Sequence, residues 1–306
     1  MISRSSSRRD ISGWIVFDKP AGMTSTRAVS CLKGILNAKK AGHAGTLDPL
    51  ATGLLPVAFG DATKTVPFVQ EGEKAYRFTV RWGAETDTDD ADGEVTEQSG
   101  NRPTETDIRA LLPAFTGSIL QLPPTYSAVK LNGERAYYLA RQGETPILSP
   151  RQVTIHALDL ISRMPDEAIF EARCGKGTYV RALARDLGRS LQCFGHVAAL
   201  RRTRVGPFYE EDAVSLEVLE EAAAAGKAPL RGIEAGLAEF PRVNVDPRGA
   251  ARLRRGQSLL LRGPDTPPSG CVYAACGGLV AIGKVENGEL IPERVFRAPD
   301  RWMPPG

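Results

Sequence analysis

From Ala75 to Trp82 apolar and polar residues alternate, with Tyr76, Phe78, Val80 and Trp82 on one face and Arg77, Thr79 and Arg81 on the other. That period predicts a half-buried strand. Trp14 to Phe17 is a short apolar run that predicts a buried strand, and Ser25 opens a helix carrying Val29, Leu32 and Leu36 at helical spacing. Val153 to Ile161 and Ala168 to Cys174 predict two strands joined through the polar turn Met164-Pro165-Asp166. Gly177-Thr178 then opens a helix striped by Val180, Leu183, Leu187 and Leu191. The stretch from Leu122 to Gln152, rich in Pro, Tyr and charge, lacks a period and is too long for a connector, which predicts a functional insertion or lid. Ala222 to Pro229 predicts a helix end running into a linker. Beyond Phe240, an Arg-rich helix and a hairpin turning at Gly277-Gly278 predict a small β-rich domain. Strands of mixed spacing without regular β-α-β alternation favour an α+β fold over a doubly wound sheet.

The length of 306 residues suggests about two domains. With 42% hydrophobic and 25% charged residues and a mean hydropathy of −0.21, the composition excludes wholesale disorder. Apolar runs fall short of the ~20 residues that a membrane span needs. Met1 to Asp10 is Ser/Arg-rich with no hydrophobic stretch behind it, which predicts a frayed basic arm and not a secretory signal. Five scattered cysteines without a Cys-x-x-Cys pair and three distant histidines predict a chain of the reducing cytoplasm, without disulfides or metal.

Charge is patterned although the net is only +3. Met1–Thr65 carries +5, Glu71–Phe115 −6, Glu171–Glu210 +5 and Pro241–Arg262 +5. Basic segments folded onto one face would bind a polyanion; pointing apart, they would be solvated surfaces. Charge alone leaves both open.

Phosphate-binding glycine loops, dinucleotide fingerprints and nucleophile elbows are absent from the sequence. The acidic run Glu85–Glu94 invites a calcium-loop reading, but aligning Gly93 to the sixth position leaves Thr88 first and Ser99 twelfth, where acids are required. Most of this run is expected to be a solvated loop. The sharper feature is Asp48, bracketed by glycines in GHAGTLDPLATG (Gly42–Gly53) and forced out of the α region by Pro49. An Asp there can simply shape a turn. With no competing carboxylate pair, His–Ser pair or cofactor loop, a catalytic site would have to lean on it. Arg181 sits in the first turn of its helix, where the macrodipole disfavours a cation, so a nearby anion is expected. Asp48 is one candidate; a basic stripe with Arg185 and Arg189 is the other reading.

On GWIVFDKPAGMTS (Gly13–Ser25), GHAGTLDPLATGLLP (Gly42–Pro56), GDATK (Gly60–Lys64) and KAY (Lys74–Tyr76), the chain resembles the bacterial tRNA pseudouridine-55 synthase family of TruB type. The likeness continues through TDTDDADG (Thr86–Gly93), PPTYSAVKLNGERAY (Pro123–Tyr137), GTYVR (Gly177–Arg181) and LRRT (Leu200–Thr203). The resemblance implies a catalytic domain over residues 1–240, built on a mixed, mostly antiparallel central sheet with an insertion at about 122–152. A small PUA-like RNA-binding domain would follow at 241–306. It implies isomerisation of a T-loop uridine of tRNA to pseudouridine, with the base flipped out and no cofactor or metal. Asp48 would be catalytic, with Tyr76 stacking on the base and Tyr179 hydrogen-bonding near it. Arg181 would pair with Asp48 beside Asp90, His43 would fill the vacated space, and Leu200 would line the pocket. Lys64 would support the site. Lys64, Lys130, Arg135, Arg141, Arg201, Arg202, Arg248, Arg252 and Arg255 are candidates for tRNA phosphates. The T-arm of tRNA would be the partner of a monomer needing no membrane and no obligate protein. An RNA-folding chaperone using the same groove and a guide-dependent synthase are the alternatives.

Overall fold

Most apolar runs become strands of one large sheet in the computed structural model, which describes residues 7–127, 129–131, 134–142, 146–261, 267 and 269–297. The chain begins with β1 (Gly13–Lys19), α1 (Ser25–Ile35), β2 (Ala41–His43), β3 (Thr52–Phe59) and α2 (Val66–Glu71). Next come β4 (Lys74–Trp82), β5 (Ala84–Thr86), β6 (Val95–Gln98), α3 (Glu105–Leu111) and β7 (Gly117–Gln121). The predicted insertion contributes β8 (Lys130–Leu131), β9 (Glu134–Arg135) and α4 (Ala136–Arg141). The sheet resumes with β10 (Arg151–Arg163), β11 (Glu167–Cys174), α5 (Val180–Ser190), β12 (Gly195–Val205), β13 (Phe208–Tyr209) and α6 (Leu216–Ala224). The C-terminal part holds β14 (Arg242–Asn244), α7 (Pro247–Arg254), β15 (Leu259–Leu260), β16 (Gly270–Ala275), β17 (Leu279–Glu286) and β18 (Glu289–Val295).

Strand order in the large sheet is β1-β3-β12-β4-β11-β10-β7, with β2 on β3 and β13 on β12. Among the described residues, only the β12–β3 pairing of this sheet is parallel, so the sheet is mixed and mostly antiparallel. One face carries the main core, where Leu32 of α1 and Leu183 and Leu187 of α5 meet Phe17, Phe78, Val80 and Phe170. The opposite face of β1 and β3 is covered too: Trp14 and Leu54 pack there in a cluster with Val69 of α2 and Phe208 of β13. Apolar area removed from water on both faces stabilises the centre of the sheet. It also makes β12, flanked by β3 and β4, an interior strand in which Val197, Leu200, Arg202 and Val205 are buried.

The β-rich C-terminal domain has its own sheet, β14-β16-β17-β18-β15, and its own core around Leu253, Val272, Val280 and Leu290. It docks through Tyr273, Leu279, Ile282 and Phe296 against Phe68, Ile233, Leu237 and Phe240. Lys64 belongs to this seam: its Nζ donates to the Val295 carbonyl (3.1 Å) and lies 5.0 Å over the Phe296 ring.

Two expectations need adjusting. β10 starts at Arg151, inside the segment predicted as an insertion, because Val153 and Ile155 already alternate as buried strand residues. The predicted frayed arm is partly anchored: Arg9 N donates to Asn37 O (2.6 Å) and Lys39 N to Arg9 O (3.0 Å).

Candidate active site

Asp48 rides on the turn between β2 and β3, and both flanks of that turn are tied down. Ser25, buried at the start of α1, accepts from Leu47 N (2.8 Å) and donates to Leu47 O (3.0 Å). On the other side, Pro49 O accepts from Gly22 N (2.8 Å) and from Lys19 Nζ (3.3 Å). Lys19 also donates to Met23 O and Pro20 O (2.8 and 2.9 Å). From β12, Arg202 reaches underneath: its Nε donates to Leu54 O (2.8 Å), Nη1 to Thr46 O (3.3 Å) and Nη2 to Gly45 O (3.0 Å). Gly53 has φ +95°, and a Cβ there would lie 2.3 Å from Arg202 O, so the backbone approach requires glycine. A carboxylate on such a turn is oriented before any ligand arrives.

Arg181 supplies the positive partner. Its Nε lies 2.9 Å from Asp48 Oδ2, and its Nη1 lies 3.4 Å from Asp90 Oδ2. The rest of the guanidinium donates to Thr88 O (2.9 Å) and Tyr126 O (3.0 Å). The Arg181 side chain is 7% exposed and that of Asp48 37%, so the pair opens to solvent on the carboxylate side. The anion expected from the awkward helix position of Arg181 is therefore met by both Asp48 and Asp90. Tyr179, the N-cap residue of α5, has its backbone clamped by Gln121, which accepts from Tyr179 N (2.8 Å) and donates to Tyr179 O (3.1 Å).

The acidic run departs from expectation. Glu85, Thr86, Asp89 and Asp90 are buried, because α5 meets them with a row of arginines. Arg185 Nη1 lies 2.9 Å from Asp89 Oδ2, and Arg189 pairs with Glu85. Asp89 takes φ 61°, which lets neighbouring residues aim Thr88 O and the Asp90 carboxylate at Arg181. Burial pushes the Asp89 carboxyl up to about 6, against the pull of Arg185.

Around this pair the electrostatics are set by burial and by Arg202. Tyr76 on β4 stands directly opposite Arg202 on β12 in the strand register. Burial raises the Tyr76 phenol while Arg202 pulls it down. His43 is lowered by burial and by the Arg202 charge, which keeps its imidazole neutral. Lys19 is lowered to about 8 by burial, with Asp48 opposing. Tyr179 is raised, mainly by burial. Leu200, 7% exposed, stands opposite Phe78 and lines a groove of about 550 Å³ that Gly22, Pro49, Leu50 and Thr52 also border.

Several phosphate candidates are placed otherwise than expected. Arg202 is 2% exposed and cannot meet a phosphate. Arg201 is held by both oxygens of Asp18 (3.0 Å each) and by Glu210. Lys64 pairs with Asp61 (2.9 Å) in the seam to the C-terminal domain, where Val295 O and the Phe296 ring are its other partners. Arg248 and Arg252 on α7 and Arg255 at its C-cap are exposed. The side chains of Lys130, Arg135 and Arg141 lie outside the described residues.

Sequence reading missed Lys19, Ser25, Gln121 and the Asp89–Arg185 pair as parts of the site. Lys19 carried a signal, since it ends an otherwise apolar strand where a lysine must find partners if buried. Gln121 carried none, being one polar residue in an edge strand.

Comparison with known proteins places the whole chain in one family. Residues 33–180 match the family model described as TruB family pseudouridylate synthase (N terminal domain), and residues 181–234 match the tRNA pseudouridylate synthase B C-terminal domain. The chain is 57% identical to tRNA pseudouridine synthase B of Bradyrhizobium diazoefficiens, over 98% of this chain and 90% of that protein. It is 58% identical to the protein of the same name from Rhodopseudomonas palustris, over 94% and 82%. Among solved structures, a Cbf5-Nop10-Gar1 complex superposes with TM-score 0.71 at 27% identity, covering 93% of this chain and 84% of the other. An H/ACA RNP bound to a substrate RNA containing 2′-deoxyuridine gives TM-score 0.71 at 25% identity, covering 94% and 86%. With more than half of its residues shared with these relatives across nearly its whole length, the chain belongs to the TruB family of pseudouridylate synthases.

Proposed function

We propose that the chain isomerises the T-loop uridine at position 55 of tRNA, with Asp48 as the catalytic carboxylate. In this reaction the N1–C1′ bond breaks, the uracil turns in place, and a C5–C1′ bond forms. The C5 proton leaves and N1 gains one, so atoms balance without a cofactor. Asp48 either attacks the sugar or removes a sugar proton; both routes need an oriented, ionised carboxylate. The observation that carries this reading is the 2.9 Å pairing of Asp48 with a buried arginine on a turn pinned from both sides.

A base stacked in the T-loop cannot reach that oxygen, so the nucleotide is flipped out at a cost of a few kcal/mol. Tyr76 then stacks on the base and takes part in proton removal, Tyr179 hydrogen-bonds beside it, and Leu200 lines the pocket. His43, kept neutral, occupies the space the base leaves, and Asp90 steadies Arg181. The exposed arginines of α7 meet backbone phosphates, residues 241–306 act as a PUA-like RNA-binding domain, and the insertion at 122–152 closes over the T-arm. Recognition by shape, stacking and backbone charge suits a folded RNA loop. The chain works in the cytoplasm as a monomer without guide RNA. The test is purified chain with an unmodified T-arm transcript alone, read by position-resolved pseudouridine mapping. Conversion at one T-loop uridine is expected; no conversion without added guide or protein would refute the stand-alone reading.

A further inference from the structure

Gln121 carries a buried amide, 2% exposed, to which the proposed reaction gives no task. It ends β7, where Arg151 of β10 stands opposite it, so its backbone belongs to the sheet. Its side chain spends both polar atoms on one residue: Oε1 accepts from Tyr179 N (2.8 Å) and Nε2 donates to Tyr179 O (3.1 Å). A primary amide can serve a peptide N–H and C=O at once, as a neighbouring strand would. Tyr179 sits where such a clamp matters. It is the N-cap of α5 in an extended conformation (φ −107°, ψ 112°), makes no side-chain capping bond, and follows Gly177 at φ +81°. From the helix, Leu183 N donates to Tyr179 O (3.1 Å). The segment leaving Gln121 is tied to the same helix, since Leu122 O accepts from Arg185 Nη2 (2.8 Å) and Tyr126 O from Arg181 Nη2 (3.0 Å). The first turn of α5 is thus held twice, Tyr179 by Gln121 and Arg181 by Asp48, Asp90 and two carbonyls.

We propose that Gln121 is a positioning residue for the isomerisation: by holding the Tyr179 backbone it aims the phenol hydroxyl at the flipped nucleotide. This rests on the reading that Tyr179 hydrogen-bonds beside the base. The hydroxyl stands at the far end of a long, stiff side chain. A backbone tilt of about 10° therefore swings it by on the order of 1 Å, a misplacement that slows a reaction up to about a hundredfold. Arg181, two residues on, has anchors of its own and stays on Asp48 when the amide is lost. Gln121 never touches the substrate. Its effect reaches the reaction through one hydroxyl, which makes it separable from general support of the fold.

The test is a double-mutant cycle on single-turnover rates with a saturating T-arm transcript. Gln121→Leu removes both bonds while keeping most of the bulk. It is expected to slow the reaction about twentyfold in the wild-type background and less than about threefold in Tyr179→Phe, with RNA binding within about threefold throughout. An equal loss in both backgrounds would mean that Gln121 only supports the helix start, and would overturn the proposal while leaving the function intact. Tyr179→Phe turning over at the wild-type rate would overturn the role of the Tyr179 hydroxyl and this inference together. Wild-type protein that makes no pseudouridine would instead refute the function itself. If Gln121→Leu does not fold, Gln121→Asn, whose shorter side chain cannot hold both bonds, carries the same cycle and the same outcomes.

Discussion

Two arginine-rich segments of equal charge excess, Glu171–Glu210 and Pro241–Arg262, have opposite fates in the fold. In the first, Arg181, Arg185 and Arg202 are buried at 6%, 5% and 2% exposure and spend their donors on Asp48, Asp90, Asp89 and backbone carbonyls. In the second, Arg248 and Arg252 on α7 and Arg255 at its C-cap are exposed, while Gly249, Ala250 and Leu253 of the helix are buried. The difference lies in what surrounds the helix or strand. An interior strand and a helix packed on acidic loops trap their arginines as architecture, whereas an amphipathic helix on a small sheet leaves them to solvent. On the proposed function, buried guanidinium groups shape chemistry and exposed ones set affinity and its salt dependence.

That contrast can be broken from either end. Asp48→Asn should lower single-turnover pseudouridine formation by about 10³-fold or more while RNA affinity stays within about twofold; product at the wild-type rate would remove Asp48 from the chemistry. Arg181→Met leaves Asp90 buried without its partner, so urea unfolding should show a loss of about 3 kcal/mol along with the loss of rate. On the exposed side, replacing Arg248, Arg252 and Arg255 together with Gln should weaken RNA binding about thirtyfold and reduce the log–log salt slope by roughly two to three. Stability should change by less than about 0.5 kcal/mol and the rate on bound RNA should hold.

The smallest effect concerns Asp89. Its folded value of about 6 lies above the ordinary 3.8, so the native state holds the proton more tightly than the unfolded chain. Stability from this group is therefore full below about pH 4 and falls as pH rises towards 6, by an amount on the order of 1 kcal/mol. Asp89→Asn, which tolerates the same left-handed backbone, should remove that slope from a pH series of unfolding measurements. A slope unchanged in the variant would assign it to another group.

Much of the fold was legible because period and burial coincide. β4 alternates visibly, and α5 carries its stripe where Leu183 and Leu187 enter the core. The pairing of Arg181 with an anion was legible from its awkward place in a helix first turn. The fates of Arg201 and Arg202 were not, because adjacent arginines read as surface charge until β3 and β4 close on either side of them. The acidic run misled for the matching reason: its buried acids are compensated by arginines about 100 residues away, a relation that no local pattern encodes.

The division of labour between buried and exposed arginines is tested most directly by one salt titration read twice. Binding of a T-arm transcript and the single-turnover rate at saturating enzyme are measured in the same series. Affinity should fall steeply as salt rises while the rate constant on bound RNA stays level. A rate constant falling in parallel with affinity, or binding indifferent to salt, would contradict the account.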